Sequence, residues 1–151
     1  MKKLTLLLVA ILLFIDVNAQ VEYKIITSVE SIVPSGLGRS RIVSASEERN
    51  YKDFTSNRSE EDDERNKSDR SDIRVKNFEE TKLLNFYNIG GIRFQNIAAN
   101  DAVVSSKINS MIDEGWELAF VTSAVESDGG KDDSQGIFIT RYIFKRPKLT
   151  N

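Results

Sequence analysis

A run of thirty residues, 47–76, limits most sharply what this chain can fold into. Eighteen of them are charged, ten acidic and eight basic, and the only large apolar side chains are Tyr51, Phe54, Ile73 and Val75. So few apolar groups cannot bury enough surface to offset the entropy lost when the segment becomes ordered. We therefore expect residues 47–76 to be a mobile insertion, and the hydrophobic core to come from the segments on either side.

The first nineteen residues have the pattern of a secretory signal peptide. Two lysines precede an apolar run over residues 4–15, and a short polar exit ends at Ala19, so that cleavage would leave Gln20 first. As a helix, the apolar run is only about 18 Å long, against the ~30 Å hydrocarbon core of a membrane. We expect residues 1–19 to be removed, the mature chain to have no membrane span, and the protein to be periplasmic or secreted.

The remaining residues, 20–151, have the size of a single domain, and they contain neither cysteine nor histidine. The domain must therefore be stable without disulfides, and zinc, haem and iron–sulfur sites lose their usual ligands. Nucleophilic sites that pair serine or cysteine with histidine are excluded, and no Ser-x-x-Lys spacing occurs. Acid–base chemistry by carboxylates, lysine or tyrosine remains possible, as does a hard cation with oxygen ligands. We predict no cofactor, no metal and no catalytic residue, and we favour a protein that is not an enzyme.

The charge balance gives no reason to expect a nucleic-acid partner. The mature chain carries 19 basic and 22 acidic side chains, a net charge of −3. Proteins that bind nucleic acids normally present a clustered basic face.

Alternating patterns predict a small, mainly antiparallel sheet. The odd positions from 21 to 29 are mostly apolar and the even positions mostly polar, which predicts a half-buried strand with one apolar face. Further strands are predicted over residues 41–45, 116–125 and 137–146, the last inside the sheet because both of its faces are apolar. For residues 83–99 the periodicity is mixed, and the pattern does not decide between strands and short helical turns.

One amphipathic helix is predicted to pack on this sheet. Asn100 or Asp101 is the expected N-cap, and Gly115 is expected just beyond the C-terminus, where a left-handed conformation favours glycine. The apolar stripe of the helix consists of Val104, Ile108, Met111 and Ile112. The predicted architecture is thus one α+β domain with a long charged insertion.

Three short motifs resemble a family of short bacterial α+β domains of unknown function. They are the opening strand Val21-Glu-Tyr-Lys-Ile25, the helix end Asp113-Glu-Gly-Trp-Glu-Leu118 and the closing strand Tyr142-Ile-Phe-Lys-Arg146. The resemblance covers the two ends of the mature chain and not its long middle. It implies an α+β core and transfers no catalytic residue.

One loop is the strongest candidate for a ligand site. The backbone N–H groups of this loop would be available to surround an anion because of the residues Ser35, Gly36 and Gly38. Arg39 and Arg41 would add bidentate contacts to a phosphate or carboxylate. The plainer alternative for the same residues is a flexible turn between two strands.

Other polar groups have simpler explanations than a site. The acidic loop over residues 126–133 lacks the spacing of a calcium loop, and we expect a solvated hairpin tip. Trp116 is expected to anchor the core rather than to stack on a sugar. Asp113, Glu114 and Glu117 are expected to be exposed charges rather than paired glycosidase carboxylates.

The function that these observations favour is a non-enzymatic protein-interaction module of the cell envelope or exterior. In this hypothesis the charged run docks on a protein partner, so deleting residues 49–71 should abolish association and leave the fold intact. The alternative is a small-molecule or anion-binding domain that uses Arg39 and Arg41, and a carboxylate-only hydrolase comes third. The sequence specifies neither the partner nor the oligomeric state.

Overall fold

A computed structural model describes residues 20–31, 39–61, 63–88, 90–126 and 136–148. The strands are β1 (Val21–Ser31), β2 (Arg41–Ala45), β3 (Phe78–Lys82), β4 (Tyr87–Asn88), β5 (Gly91–Ile92), β6 (Glu117–Glu126) and β7 (Ile137–Pro147). The helices are the single turn α1 (Arg70–Ile73) and the twenty-residue α2 (Phe94–Asp113). The fold is therefore α+β, as predicted.

Five of the strands form one antiparallel sheet in the order β3-β2-β1-β7-β6, and β4 and β5 form a separate two-stranded ribbon. The predicted strand over residues 41–45 is confirmed, and those over 116–125 and 137–146 are confirmed to within one residue at each end. The interior position predicted for β7 is also confirmed, because β1 and β6 flank it.

The hydrophobic core lies between α2 and one face of the sheet. Met111 of α2 is fully buried with Phe144 of β7 and Ile26 of β1. Ile42, Leu83 and Trp116 complete the buried cluster, and Val104 and Ile108 pack against it. Ile112, which the sequence pattern included in the apolar stripe, is 51% exposed. Val103, which the pattern did not include, packs against the core instead, so the contacting stripe is displaced around the helix from the predicted one.

The predicted start of α2 is wrong. The helix begins at Phe94 with Arg93 as its N-cap residue, so Asn100 lies inside it. There the Asn100 side chain is buried and bonded to the main chain of Leu84, to which it donates and from which it accepts a hydrogen bond, each of 2.8 Å. An asparagine favoured at helix starts is therefore used here to hold a neighbouring segment against the helix.

The predicted end of α2 is confirmed. Gly115 has φ +85°, a left-handed conformation that L side chains rarely adopt. Its N–H donates to the carbonyl of Ile112, and the N–H of Trp116 donates to the carbonyl of Met111. These two bonds form a Schellman motif, and its accompanying hydrophobic contact comes from Trp116 and Met111, which share the core.

Strand β1 turns its more polar side to the helix, contrary to its sequence pattern. Its even positions face α2, with Ile26 and Ser28 buried, whereas Val21, Tyr23 and Ile25 are 48%, 64% and 50% exposed. Neighbouring strands account for this orientation. Ser28 pairs with buried Ile42, and Lys24 pairs with buried Phe144, so the even side of β1 shares a face with the large core residues.

The charged segment connects two adjacent antiparallel strands. Ala45 at the end of β2 pairs with Phe78 at the start of β3, and the N–H of Ser46 donates to the carbonyl of Asn77 at 3.1 Å. Between these points lie a 3₁₀ turn (Tyr51–Phe54) and α1. None of the described residues of this connection is buried, so they add nothing to the core.

Candidate functional site

The loop predicted to bind an anion is described only at its end. Ser35, Gly36 and Gly38 lie outside the described residues. Arg39 is exposed, and the guanidinium of Arg41 forms an ion pair with Glu80 of β3. Because Arg41 already has a carboxylate partner within the sheet, an anion at this loop would have to compete with Glu80 for it.

Other candidates singled out in the sequence are only partly described. Most of the acidic hairpin tip, residues 127–135, and the predicted signal peptide, residues 1–19, lie outside the described ranges. Across the residues that the structure does describe, no group of three or more acidic side chains is placed to hold a metal ion. Nor does any helix within those ranges have the length and hydropathy needed to cross a membrane.

Trp116 is a core residue, as predicted, and one edge of it borders a charged cleft. It is 8% exposed, and the guanidinium of Arg146 lies 4.1 Å from the centre of its ring. Arg146 in turn pairs with Glu22 across β7 and β1. The cleft has a volume of about 410 Å³ and also borders Lys24 and Glu47. A buried ring covered by arginine does not offer the open face that sugar stacking requires.

The three carboxylates near the end of α2 lie at exposed positions. Asp113 and Glu114 are exposed, and Ser110 lies within hydrogen-bonding distance of Glu114. Glu117 pairs with Lys145 of β7 at 3.1 Å. These contacts agree with the prediction that the three groups are surface charges.

Arginines of the charged connection surround a second depression, of about 440 Å³. Its lining includes three arginines and one carboxylate, together with two apolar side chains, namely Arg58, Arg65, Arg70, Asp69, Phe54 and Ile73. Arg58 pairs with Asp63 at 2.8 Å, and no ion pair of Arg65 or Arg70 occurs in the described ranges. The depression therefore combines an excess of positive charge over the single carboxylate of Asp69 with an apolar surface.

The most extensive unusual feature is the side of the sheet that faces away from α2, which we call the open face. It carries the odd positions of β1 and every residue paired with them across the other four strands. One line of side chains, which we call the apolar band, crosses all five strands. In order from β3 to β6 the band consists of Phe78, Ala45, Ile25, Ile143 and Phe120.

The apolar band is open to solvent over most of its length. Phe78 and Ile25 are each 50% exposed, and Phe120 is 60% exposed. Tyr23, the neighbour of Ile25 on the open-face side of β1, is 64% exposed. Exposed apolar residues scattered singly are ordinary, but a continuous row across a sheet is not, because a sheet normally buries its apolar side chains against another layer.

The charges of the open face lie beside the band rather than within it. Arg41 pairs with Glu80, and Lys145 pairs with Glu117. Arg141 of β7 pairs with Thr27 of β1 and with Thr122 of β6. It is exposed and has no ion pair in the described part of the chain. An apolar centre with charges around it has the composition of a protein interface.

Sequence reasoning missed the open face, although part of the signal was present. The odd positions of β1 and both faces of β7 are apolar in the sequence, which supplies more apolar surface than one helix can cover. Period-two alternation gives the two faces of a strand and does not say which face the helix covers. The contributions of Phe78 and Phe120 depend on the strand order, which the sequence pattern did not supply.

Comparison with known proteins identifies no relative. No family model, no curated protein and no solved structure matches the chain. The resemblance of the three terminal motifs to a family of short bacterial domains therefore remains a prediction.

Proposed function

We propose that this protein is a non-enzymatic interaction module that binds a protein through its open face. The observation that carries the proposal is the apolar band, a row of side chains that crosses all five strands and is exposed on every strand except β7, where Ile143 is half-buried. Burial of apolar surface is the main favourable contribution to protein association. Continuous exposed patches of this kind mark interaction sites on otherwise soluble domains.

We propose on the basis of the N-terminal pattern that this module acts outside the cytoplasm. In the proposal, residues 1–19 direct export, and the chain from Gln20 onward acts in the periplasm or is secreted. The absence of cysteine means that the module depends on packing and hydrogen bonding for its stability wherever it is delivered. The charged connection, in which Arg49 donates to Glu47 and to the carbonyl of Arg74, joins β2 to β3.

Two surfaces compete as the docking site, and a deletion separates them. Because β2 and β3 pair up to Ala45 and Phe78, replacing residues 49–71 with a short turn should leave the sheet intact. If the open face binds the partner, the shortened protein still associates. If the charged connection is the docking segment, association is lost, and our assignment of the surface is wrong.

Site-specific photo-crosslinking in living cells tests the open face directly. A photoreactive phenylalanine analogue replaces Phe120 in the band, and in a matched control it replaces Phe94, an aromatic at the start of α2 that is 76% exposed and outside the open face. We expect a discrete crosslinked protein from position 120 and none from position 94. Equal crosslinking from both positions, or none from position 120, would contradict the proposal.

A second candidate function, anion binding, is favoured by the depression in the charged connection. Arg65 and Arg70 line this depression with Phe54 and Ile73 and outnumber its one carboxylate, Asp69, which suits an anion with an apolar portion. Thermal-shift measurements with inorganic phosphate compare Arg65→Gln/Arg70→Gln with Arg39→Ala/Arg41→Ala. Loss of stabilisation only in the first variant assigns the depression, and loss only in the second assigns the loop. No observation in the structure favours the hydrolase.

A further inference from the structure

We infer that two copies of this chain pair through the outer edges of β6, antiparallel and related by a twofold axis, so that their two five-stranded sheets join edge to edge. The inference goes beyond the proposed function, because it concerns the edge of the sheet and leaves the open face free. It is carried by three observations, which are the unprotected edge of β6, the protected edge of β3 and the register in which β6 matches its own rotated image.

Most of β6 lacks the features that normally protect an edge strand. It is last in the order of the sheet, no described strand pairs with its outer side, and every residue except Leu118 is exposed. Such an edge offers unpaired N–H and C=O groups to another chain, and proteins usually block it with charges, proline or a bulge. Between Glu117 and Glu126 there is neither a charge nor a proline, and the one bulge lies between Leu118 and Phe120. Seven regular residues, 120–126, therefore remain open to pairing.

The opposite edge of the sheet is protected. β3 has only five residues, and three of them, Glu79, Glu80 and Lys82, are charged. Glu79 forms an ion pair with Lys107 of α2, and Glu80 forms one with Arg41 of β2. A short, charged strand is a poor template for a further strand. Because only one edge of each copy is open, a twofold contact through β6 uses both open edges and closes the assembly at a dimer.

One register allows β6 to pair with its own copy over all seven regular residues. A twofold axis perpendicular to the sheet at Ser123 places that residue opposite itself, Val121 opposite Val125 of the second copy, and Thr122 opposite Ala124 of the second copy. Val121 and Val125 are 43% and 58% exposed, so α2 leaves both of them uncovered. Pairing of seven residues in each strand adds roughly six to eight main-chain hydrogen bonds, and it brings β-branched side chains together.

The charges at the two ends of β6 favour this register over its neighbour. Leu118 pairs with Phe144 and Phe120 pairs with Ile143, so the bulge takes one place in the ladder and Glu117 lies two places from Phe120. An axis at Thr122 would place Glu117 opposite Glu126 of the second copy, and like charges in that position are destabilising. With the axis at Ser123, Glu126 of the second copy instead lies opposite Phe120, about 7 Å along the strand from Glu117.

Sedimentation velocity of the purified protein tests the inference. The full-length chain is expressed in a bacterial host, purified in the form in which it accumulates, and measured from about 1 to about 100 μM, where a dimer with a micromolar dissociation constant dissociates on dilution. We expect a dimer. Val121→Lys/Val125→Lys should weaken it by about tenfold or more, because each lysine would lie opposite another. Tyr51→Lys/Ile73→Lys is the matched control, since it adds the same charge at exposed positions of the charged connection, and it should leave the dimer unchanged.

A thiol at the axis tests the register. The chain contains no cysteine, so Ser123→Cys introduces a single thiol. Residues that lie opposite each other in an antiparallel pair have Cα atoms about 4.5–5.5 Å apart, within the roughly 4.4–6.8 Å that a disulfide spans. We expect mild oxidation to convert Ser123→Cys into a covalent dimer, and to convert much less of Tyr51→Cys at the same concentration, as measured by gel electrophoresis without reductant.

Three results would each overturn the inference. They are a wild-type protein that is a monomer throughout the concentration range, a dimer that the folded lysine variant of β6 does not weaken, and equal amounts of covalent dimer from the two cysteine variants. Both lysine positions are exposed, so that variant should fold, as judged by circular dichroism and Trp116 fluorescence. If it does not fold, the comparison of the two cysteine variants decides.

Crosslinking from position 120 distinguishes failure of the inference from failure of the proposed function. The dimer gives a crosslinked species of twice the mass of the chain, and Val121→Lys/Val125→Lys removes it. A partner of the open face gives a species of another mass, which persists in that variant. A monomer that gives only the second species overturns the dimer and retains the interaction module, whereas a dimer that gives only the first retains the dimer and contradicts the module.

Discussion

Asn100 is a buried side chain in the middle of α2, and its amide connects three parts of the fold. Its Oδ1 accepts from the N–H of Leu84 at 2.8 Å, and its Nδ2 donates to the carbonyl of Leu84 at 2.8 Å and to Glu30 of β1 at 2.7 Å. The side chain itself is 2% exposed. Replacing it with alanine removes all three hydrogen bonds and leaves both main-chain groups of Leu84 without their partner.

The size of the effect follows from these contacts. Each hydrogen bond contributes about 1 kcal/mol net, so three contribute about 3 kcal/mol. Alanine has a higher helix propensity than asparagine, which returns at most about 0.7 kcal/mol. Asn100→Ala should therefore lower the free energy of unfolding by about 2–3 kcal/mol. In a domain of this size the melting temperature should fall by roughly 4 °C for each kcal/mol.

Urea unfolding followed by the fluorescence of Trp116 measures this change. Trp116 is the only tryptophan and lies in the core, so its emission reports loss of the tertiary structure. Asn109→Ala is the matched control, because Asn109 lies on the exposed side of the same helix and makes the same change in helix propensity. A loss below about 1 kcal/mol at position 100, or equal effects at the two positions, would refute the role assigned to Asn100.

Three further variants test other parts of the fold. Gly115→Ala should cost about 1 kcal/mol in urea unfolding, because φ +85° strains any L residue even though a Cβ there meets no atom within 4 Å. Met111→Ala should cost about 2–5 kcal/mol, since the side chain is fully buried, and a cost near zero would mean that α2 does not pack as described. The Lys107 ammonium, 2.8 Å from Glu79, lowers the pKa of that carboxyl below its usual value of 4.5. The ion pair therefore stabilises the fold above pH 4.5, and this stabilisation is lost as the pH falls through the lowered pKa. Lys107→Met should reduce the loss of stability between neutral and acid pH, by at most about 0.5 kcal/mol. An unchanged acid dependence in the Lys107→Met protein would show that the pair contributes nothing measurable.

The sequence predicted local structure best where one residue type has one strong local preference. Gly115 marks the end of α2 correctly, because a left-handed residue at that position favours glycine whatever the helix packs against. Asn100 misled the prediction of the helix start, because asparagine is suited both to capping a helix and to bonding the main chain of a buried neighbour. Only the position of Leu84 beside the helix decides between the two uses.

The candidate site also has one part that the sequence predicts and another that only the tertiary structure decides. The apolar character of β1 and β7 is visible in the sequence, and so is the inability of residues 47–76 to contribute to a core. The apolar band is not visible there, because it needs five strands to be aligned in an order that differs from their order along the chain. Phe78 and Phe120 are 42 residues apart in sequence, and each reaches the band through pairing with a different neighbouring strand.

By itself the sequence determined the α+β class, the approximate bounds of four of the five strands of the sheet and the end of the main helix. It could do so because hydrophobic periodicity and glycine conformation act over a few residues. It also excluded nucleophilic chemistry that needs histidine or cysteine. The tertiary structure decided which face of the sheet α2 covers, since the large residues Phe144 and Ile42 share one side and bury the even positions of β1 there. That choice left the more apolar side of β1 exposed. A strand has two faces and one helix covers only one of them, so the surface available to a partner follows from packing and not from local pattern.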